Sequence, residues 1–219
     1  MKRMLLAALL TSVASTAIAA DLPTRKDAPA PVPAFAPAPA FSWTGFYIGL
    51  NGGYGSGHFR SGGSSVFGDP TGIVLGGQVG YNYQIGQFVL GVENNLDWAH
   101  IRNTNTVPGN SFYSRVNAID TFMGRAGVAL DRALIFGEFG YAGANVHGVD
   151  NGLGLSQSGW RSGLGVGGGL EYAFTNNISA RADYVFSYLG SKTYFAGTPD
   201  VVKTGLNLHQ FRLGLNYKF

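Results

Sequence analysis

Not one of the 219 residues is cysteine, which removes disulfides and thiolate chemistry while leaving the compartment open. Charge is scarce too. Asp, Glu, Lys and Arg make up 12% of the chain, about half the usual share of a soluble domain. The formal charge of +3 includes Lys2 and Arg3 at the extreme start, so the remainder is nearly neutral. No basic stripe of the kind that nucleic acid demands is present. Beyond the first residues no apolar run reaches the length of about 18 that marks a membrane-crossing helix. Any passage through a bilayer must therefore use strands. Proline is nearly missing from the body of the chain. Six of the nine prolines fall between Asp21 and Ala40, and the other three, Pro70, Pro108 and Pro199, fall in stretches read as long loops.

What the chain does have begins with an export signal. Met1-Lys2-Arg3 is a short positive start, Met4 to Ile18 is apolar, and Ala17-Ile18-Ala19 fits a small-x-small cleavage site. Residues 1–19 are expected to be a secretory signal peptide. Residues 20–40 are expected to be a periplasmic linker, because Pro-Ala alternation favours extended polyproline II and cannot join a sheet ladder.

From residue 41 onward the apolar residues recur at every second position, the period of a strand. The spacing predicts eight strands: Trp43–Gly55, Gly72–Gln84, Phe88–Ala99, Val116–Leu130, Leu134–Val146, Trp160–Phe174, Ile178–Leu189 and Leu208–Phe219. In the last, Phe211, Leu213, Leu215, Tyr217 and Phe219 share one face, and Gln210, Arg212, Gly214, Asn216 and Lys218 the other. Such strands are long enough to span a bilayer at the usual tilt. Long connections are expected after the first, third, fifth and seventh strands, and short ones after the second, fourth and sixth. This is the asymmetry of an eight-stranded antiparallel up-and-down transmembrane β-barrel with long extracellular loops and short periplasmic turns, here over residues 41–219.

Charge tests the assignment of faces. The face opposite the apolar one holds Glu93, Asp97, Arg125, Glu138, Arg161, Glu171, Arg181, Asp183, Arg212 and Lys218, whereas the apolar face holds one charge, Asp120, and one stray amide, Asn94. An Arg or Lys facing lipid at mid-bilayer costs roughly 2–4 kcal/mol, so the charged face belongs in the lumen. Centring the short turns on Asp131-Arg132 and on Asn176 sets Arg125 opposite Glu138 and Glu171 opposite Arg181. Centring the first on Ile85-Gly86 sets Glu93 opposite Gln78, and Arg212 is expected to meet Asp183. Glu93, Asp97, Arg125, Glu138, Glu171, Arg181, Asp183 and Arg212 are thus expected to form a lumen charge network that fills a narrow interior. The aromatics sort by height. Tyr83, Phe88, Phe174 and Tyr217 gather near the periplasmic rim, and Trp98, Trp160 and Tyr188 near the outer one, as two interfacial girdles would.

Motifs for other chemistry fail on context. Gly163 to Gly168 satisfies G-x-G-x-x-G but lies inside a strand pattern, where a dinucleotide site needs a helix to open. His58, His100 and His147 lie in or beside outer loops without metal-ligand spacing. Asn177-Ile178-Ser179 matches a glycosylation sequon, but in an expected periplasmic turn. No serine sits in a nucleophile elbow. No catalytic residue, metal or cofactor is expected. The loops carry Arg60, Arg102, Arg115, Lys192 and Lys203 against Asp69, Asp150 and Asp200, a modest basic excess suited to lipopolysaccharide phosphates.

Trp43-Thr44-Gly45-Phe46-Tyr47-Ile48-Gly49-Leu50-Asn51-Gly52-Gly53-Tyr54-Gly55, Ala20-Asp21-Leu22-Pro23, Gly124-Arg125-Ala126-Gly127, Glu171-Tyr172-Ala173-Phe174-Thr175-Asn176-Asn177 and the closing Phe219 resemble the RopB-type major outer-membrane proteins of alphaproteobacteria. The resemblance covers essentially the whole chain. It implies an OmpA-like, porin-like barrel, abundant at the cell surface, with no catalytic residues to carry over. The expected role is structural support of the envelope, with a narrow diffusion channel and a soluble periplasmic lipocalin-type barrel as alternatives. Expected partners are outer-membrane lipid, lipopolysaccharide and, during assembly, the insertion machinery, for which Phe219 resembles the signal. Deletion of Phe219 should lower the amount of protein in the outer-membrane fraction, while the barrel that does insert unfolds at an unchanged urea concentration. Wild-type membrane levels of the deletion would contradict the assembly role.

Overall fold

The computed structural model describes residues 41–61, 68–194, 197 and 202–219. The expected signal peptide (1–19) and linker (20–40) lie outside the described residues, as does Asp200. Eight strands follow in chain order: β1 (Gly45–Ser61), β2 (Thr71–Ile85), β3 (Phe88–Val107), β4 (Asn110–Leu130), β5 (Ala133–Asp150), β6 (Leu155–Ala173), β7 (Ile178–Tyr194) and β8 (Val202–Lys218). Each pairs antiparallel with its sequence neighbours, and β8 pairs with β1, so the sheet is a closed barrel.

The strands are longer than expected, at 15 to 21 residues. The stretches read as long polar loops are largely ladder. The expected loop from His100 to Arg115 is the continuation of β3 and β4, paired up to Val107 and Asn110 and closed by Pro108-Gly109 alone. Proline then glycine at the two central positions is a tight-turn signature, and Gly109 takes the positive φ, +85°, that it requires. Likewise β5 and β6 run on to Asp150 and Leu155 before turning. The lower part of these extensions packs Ile101, Phe112, Val116 and Val146 on the inner face, and above them Asn110 Nδ2 donates to the buried Asp150 Oδ1 at 2.8 Å across β4 and β5.

Register follows the short turns. Arg125 lies opposite Glu138, Glu171 opposite Arg181, and Asp183 opposite Arg212, as expected. The expected pairing of Glu93 with Gln78 is wrong. The turn is Gly86-Gln87, with Ile85 facing Phe88, which moves the register by two and puts Glu93 opposite Gly80 and Gln78 opposite Asn95. Because the shift is even, every side chain keeps its expected face.

The interior is layered. Along β5 the buried side chains read Leu134, Phe136, Glu138, Ala142, Ala144 and Val146 from the short-turn end upward, that is apolar, charged, apolar, with Asp150 buried at the outer end. The lower apolar layer is Trp43, Val89, Ala129, Leu134, Phe136 and Ala173, with Phe41 against it. Trp43 was expected to open the first strand. Instead it precedes β1 and turns under the barrel, donating Nε1–H to Asp131 O at 3.1 Å and its backbone N–H to Gln84 Oε1 at 2.8 Å. The upper layer is a larger cluster that includes Phe59, Ile101, Phe112, Val116, Ile119, Leu189, Leu206 and Leu208. Ile101→Ala should lower the unfolding free energy of vesicle-inserted protein by about 2–5 kcal/mol, measured by urea titration. An unchanged midpoint would show that the upper layer is not a packed core.

Candidate functional site

Alternation on six of the eight strands delivers one set of charged side chains to the middle of the barrel. Glu93 and Asp97 come from β3, Arg125 from β4, Glu138 from β5, Glu171 from β6, Arg181 and Asp183 from β7, and Arg212 from β8. All eight are 4% exposed or less. Removing ions from water costs several kcal/mol each unless partners are supplied, and here they are supplied in series. Arg212 reaches Asp97 at 3.3 Å and Asp183 at 2.7 Å. Asp183 accepts from Arg181 Nε at 2.9 Å, and Arg181 Nη1 donates to Glu93 at 2.5 Å. Glu93 also accepts from Tyr47 Oη at 2.5 Å, and Tyr47 Oη in turn receives Arg125 Nη1 at 3.3 Å. Arg125 closes the series on Glu171. Glu138 sits between Arg212 and Arg181, at 3.6 and 3.9 Å.

The structure thus brings together all eight residues singled out from the sequence, but not always with the partners expected. Arg125 is in register with Glu138 yet reaches past it to Glu171, and Arg181 is in register with Glu171 yet pairs with Glu93 across the lumen. In a barrel this narrow a guanidinium spans the interior as readily as it meets its cross-strand neighbour. Alternation names the face, and only the closed ring says who stands opposite.

Several neutral members were missed. Tyr47 links Glu93 to Arg125. Asn95 donates to Glu93 at 2.8 Å, Ser179 to Glu171 at 2.6 Å, and Asn216 to Glu171 at 2.8 Å while accepting from Gln78 at 2.7 Å. Phe136 lies 3.7 Å under the Arg125 guanidinium, a cation–π contact that joins the charged layer to the apolar one below. Inward parity was the available signal for each. Of the other two inward charges, Arg161 is buried and donates to Thr204 O at 2.7 Å, whereas Lys218 sits at the lower rim, bonded to Ser42 O and 4.6 Å from the Phe41 ring.

The outward face is apolar and exposed, from Phe46, Ile48 and Leu50 on β1 to Phe211, Leu213 and Leu215 on β8. A lipocalin-type barrel would reverse these faces. The girdle candidates Tyr83, Phe88, Trp98, Trp160, Phe174, Tyr188 and Tyr217 are all outward and exposed, as is Phe219, whose backbone N–H donates to Phe46 O at 3.0 Å. The stray Asn94 now has an explanation. Its Nδ2 donates to Asp120 Oδ1 at 2.8 Å and to Thr121 O at 3.0 Å, so the two polar groups on the lipid-type face satisfy each other. The G-x-G-x-x-G stretch lies wholly within β6, and His58 and His147 pair separately with Asp69 and Ser158, each at 2.7 Å.

Residues 5–219 match the model of a family described as the outer membrane protein beta-barrel domain. The chain belongs to that family. Proteins similar to it include the 31 kDa outer-membrane immunogenic protein of Brucella melitensis biotype 1, 32% identical over 244 residues and covering 100% of both chains. The 22 kDa outer membrane protein of Rhizobium leguminosarum bv. viciae is 34% identical over 180 residues, 81% of this chain and 79% of the relative. Among solved structures, the outer membrane protease OmpT from Escherichia coli superposes with a TM-score of 0.50 at 8% identity, covering 84% of this chain and 99% of OmpT, a likeness of fold alone. The protein is a structural, surface-exposed β-barrel of the bacterial outer membrane, and its outward face meets the lipid of that bilayer.

Removing a central cation leaves buried carboxylates without it. Arg181→Met should destabilise the folded barrel by about 3–5 kcal/mol in urea titrations, whereas Arg102→Ala at the exposed outer end should stay within about 0.5 kcal/mol. Equal, small effects from both would show that the buried charges contribute nothing specific.

Proposed function

We propose that this outer-membrane protein is a closed structural barrel, a member of the RopB-type group, that supports the envelope and presents its outer hairpins at the surface without catalysing a reaction. One observation carries the reading: the ion-paired layer from Asp97 to Glu171 lies between two apolar layers, so the lumen axis meets packed side chains at three levels. An ion entering would have to displace Leu206 and Leu208 above, then compete with guanidiniums already paired, then pass Trp43 below. The outward aromatics Trp98, Trp160 and Tyr188 above and Tyr83, Phe88, Phe174 and Tyr217 below would seat the barrel at the two membrane interfaces. Residues 1–19 would direct export, and residues 20–40 would form a periplasmic linker. Phe219 would be read by the insertion machinery, and basic residues at the outer rim would meet lipopolysaccharide.

Planar-bilayer recording of the purified protein tests the closed lumen. The expected result is a flat current under applied voltage. Reproducible unitary steps that disappear in Arg125→Ala would replace this reading with that of a narrow diffusion channel.

A further inference from the structure

Cations lie on the outward face where the apolar band ends, Arg60, Arg102 and Lys203 among them. Arg60 of β1 faces outward, since its neighbour Phe59 is buried, and its registered partner on β8 is Gly205. A Cβ at Gly205 would lie 2.6 Å from Arg60 Nη2 and 3.0 Å from Cζ. The absence of a side chain at Gly205 lets the guanidinium cross β8 over bare backbone and reach β7. There it stacks on the Tyr188 ring at 3.6 Å and donates to Leu189 O at 2.8 Å. Its Nε has no hydrogen-bond partner among the described residues. A long, flexible cation is thus held in one place across three strands.

The surroundings say what would meet it. On the same face of β8, Lys203 stands two residues above Gly205 and is exposed. Below come Asn207, then His209 against Tyr184 Oη at 2.7 Å, then the exposed apolar run Phe211, Leu213 and Leu215. Two cations therefore lie directly above a strip that faces acyl chains. That is the order of a phosphorylated lipid standing in the outer leaflet, phosphate above and hydrocarbon below, and Arg is suited to phosphate through its planar, multi-donor fork.

We propose that Arg60, with Lys203, holds a phosphate group of an outer-leaflet glycolipid, whose acyl chains run down the Phe211–Leu215 strip. This rests on the outer-membrane reading and specifies where on the barrel the lipid binds. The full chain is reconstituted into vesicles of phosphatidylcholine alone, with phosphorylated lipid A, or with the same lipid stripped of phosphate. Lipid A retained after mild detergent extraction is then quantified. Wild type should retain the phosphorylated form preferentially, Arg60→Ala should retain roughly tenfold less, and Arg60→Lys should fall between. Gly205→Val keeps both charges but displaces the guanidinium, and should also lose retention, while Arg132→Ala, in the short turn at the opposite end of the barrel, should not. Equal retention by wild type and Arg60→Ala, equal retention of the dephosphorylated lipid, or an equal loss in Arg132→Ala would overturn the proposal. Failure of the outer-membrane reading itself would look different, because the wild-type protein would not float with vesicles of phosphatidylcholine alone.

Discussion

Closure of β8 on β1 is the constraint from which the rest follows. In hydrocarbon an unpaired backbone N–H or C=O has no water to turn to, so a sheet with an open edge is not viable there. Fifteen consecutive register pairs between β1 and β8, from Tyr47 and Lys218 to Ser61 and Thr204, remove that edge. Closing with eight strands makes the barrel narrow. The inward side chains then have nowhere to go but against one another, and the polar ones among them must find partners inside.

The layering solves the energetic problem that closure creates. Buried ions are costly when their partners are incomplete and tolerable when the geometry is good. Here the guanidiniums are shared: Arg181 lies within ion-pair distance of Glu93, Glu138 and Asp183, and Arg212 of Asp97, Glu138 and Asp183. Apolar layers lie above and below these groups, and low polarity strengthens each pair. The aromatic rings at the junctions serve both neighbours. Phe136 packs in the lower apolar layer with its face to Arg125, and Tyr47 gives an apolar body to the wall and a hydroxyl to Glu93.

Much of this was legible in the chain because a barrel obeys a period of two. Faces were readable wherever alternation was uninterrupted, and register was readable where the turn was symmetric about Asp131-Arg132 or Asn176. At Ile85 to Gln87 the choice of turn centre decided the register, and glycine at its first central position rather than its second moved Glu93 from Gln78 to Gly80. The outer extensions were missed for a different reason. Arg102 to Thr106 looks like loop composition, whereas Ile101 just before it sits in the upper core, and only Pro108-Gly109 betrays a hairpin. The partners across the lumen could not be read at all, since parity gives the side of the sheet and not the identity of the opposite strand.

The central claim is that the charged layer is sealed from water on both sides, and the absence of native cysteine makes a direct measurement available. Ser187 on β7 faces inward at 1% exposure between the charged layer and the upper apolar cluster, whereas Ser191 on the same strand is exposed. Single cysteines at these positions, in protein inserted into vesicles, are treated with a small charged thiol reagent. The sealed interior predicts that Ser191→Cys is modified rapidly and Ser187→Cys only after unfolding in urea. Modification of Ser187→Cys in the folded, inserted barrel at the rate of Ser191→Cys would contradict it.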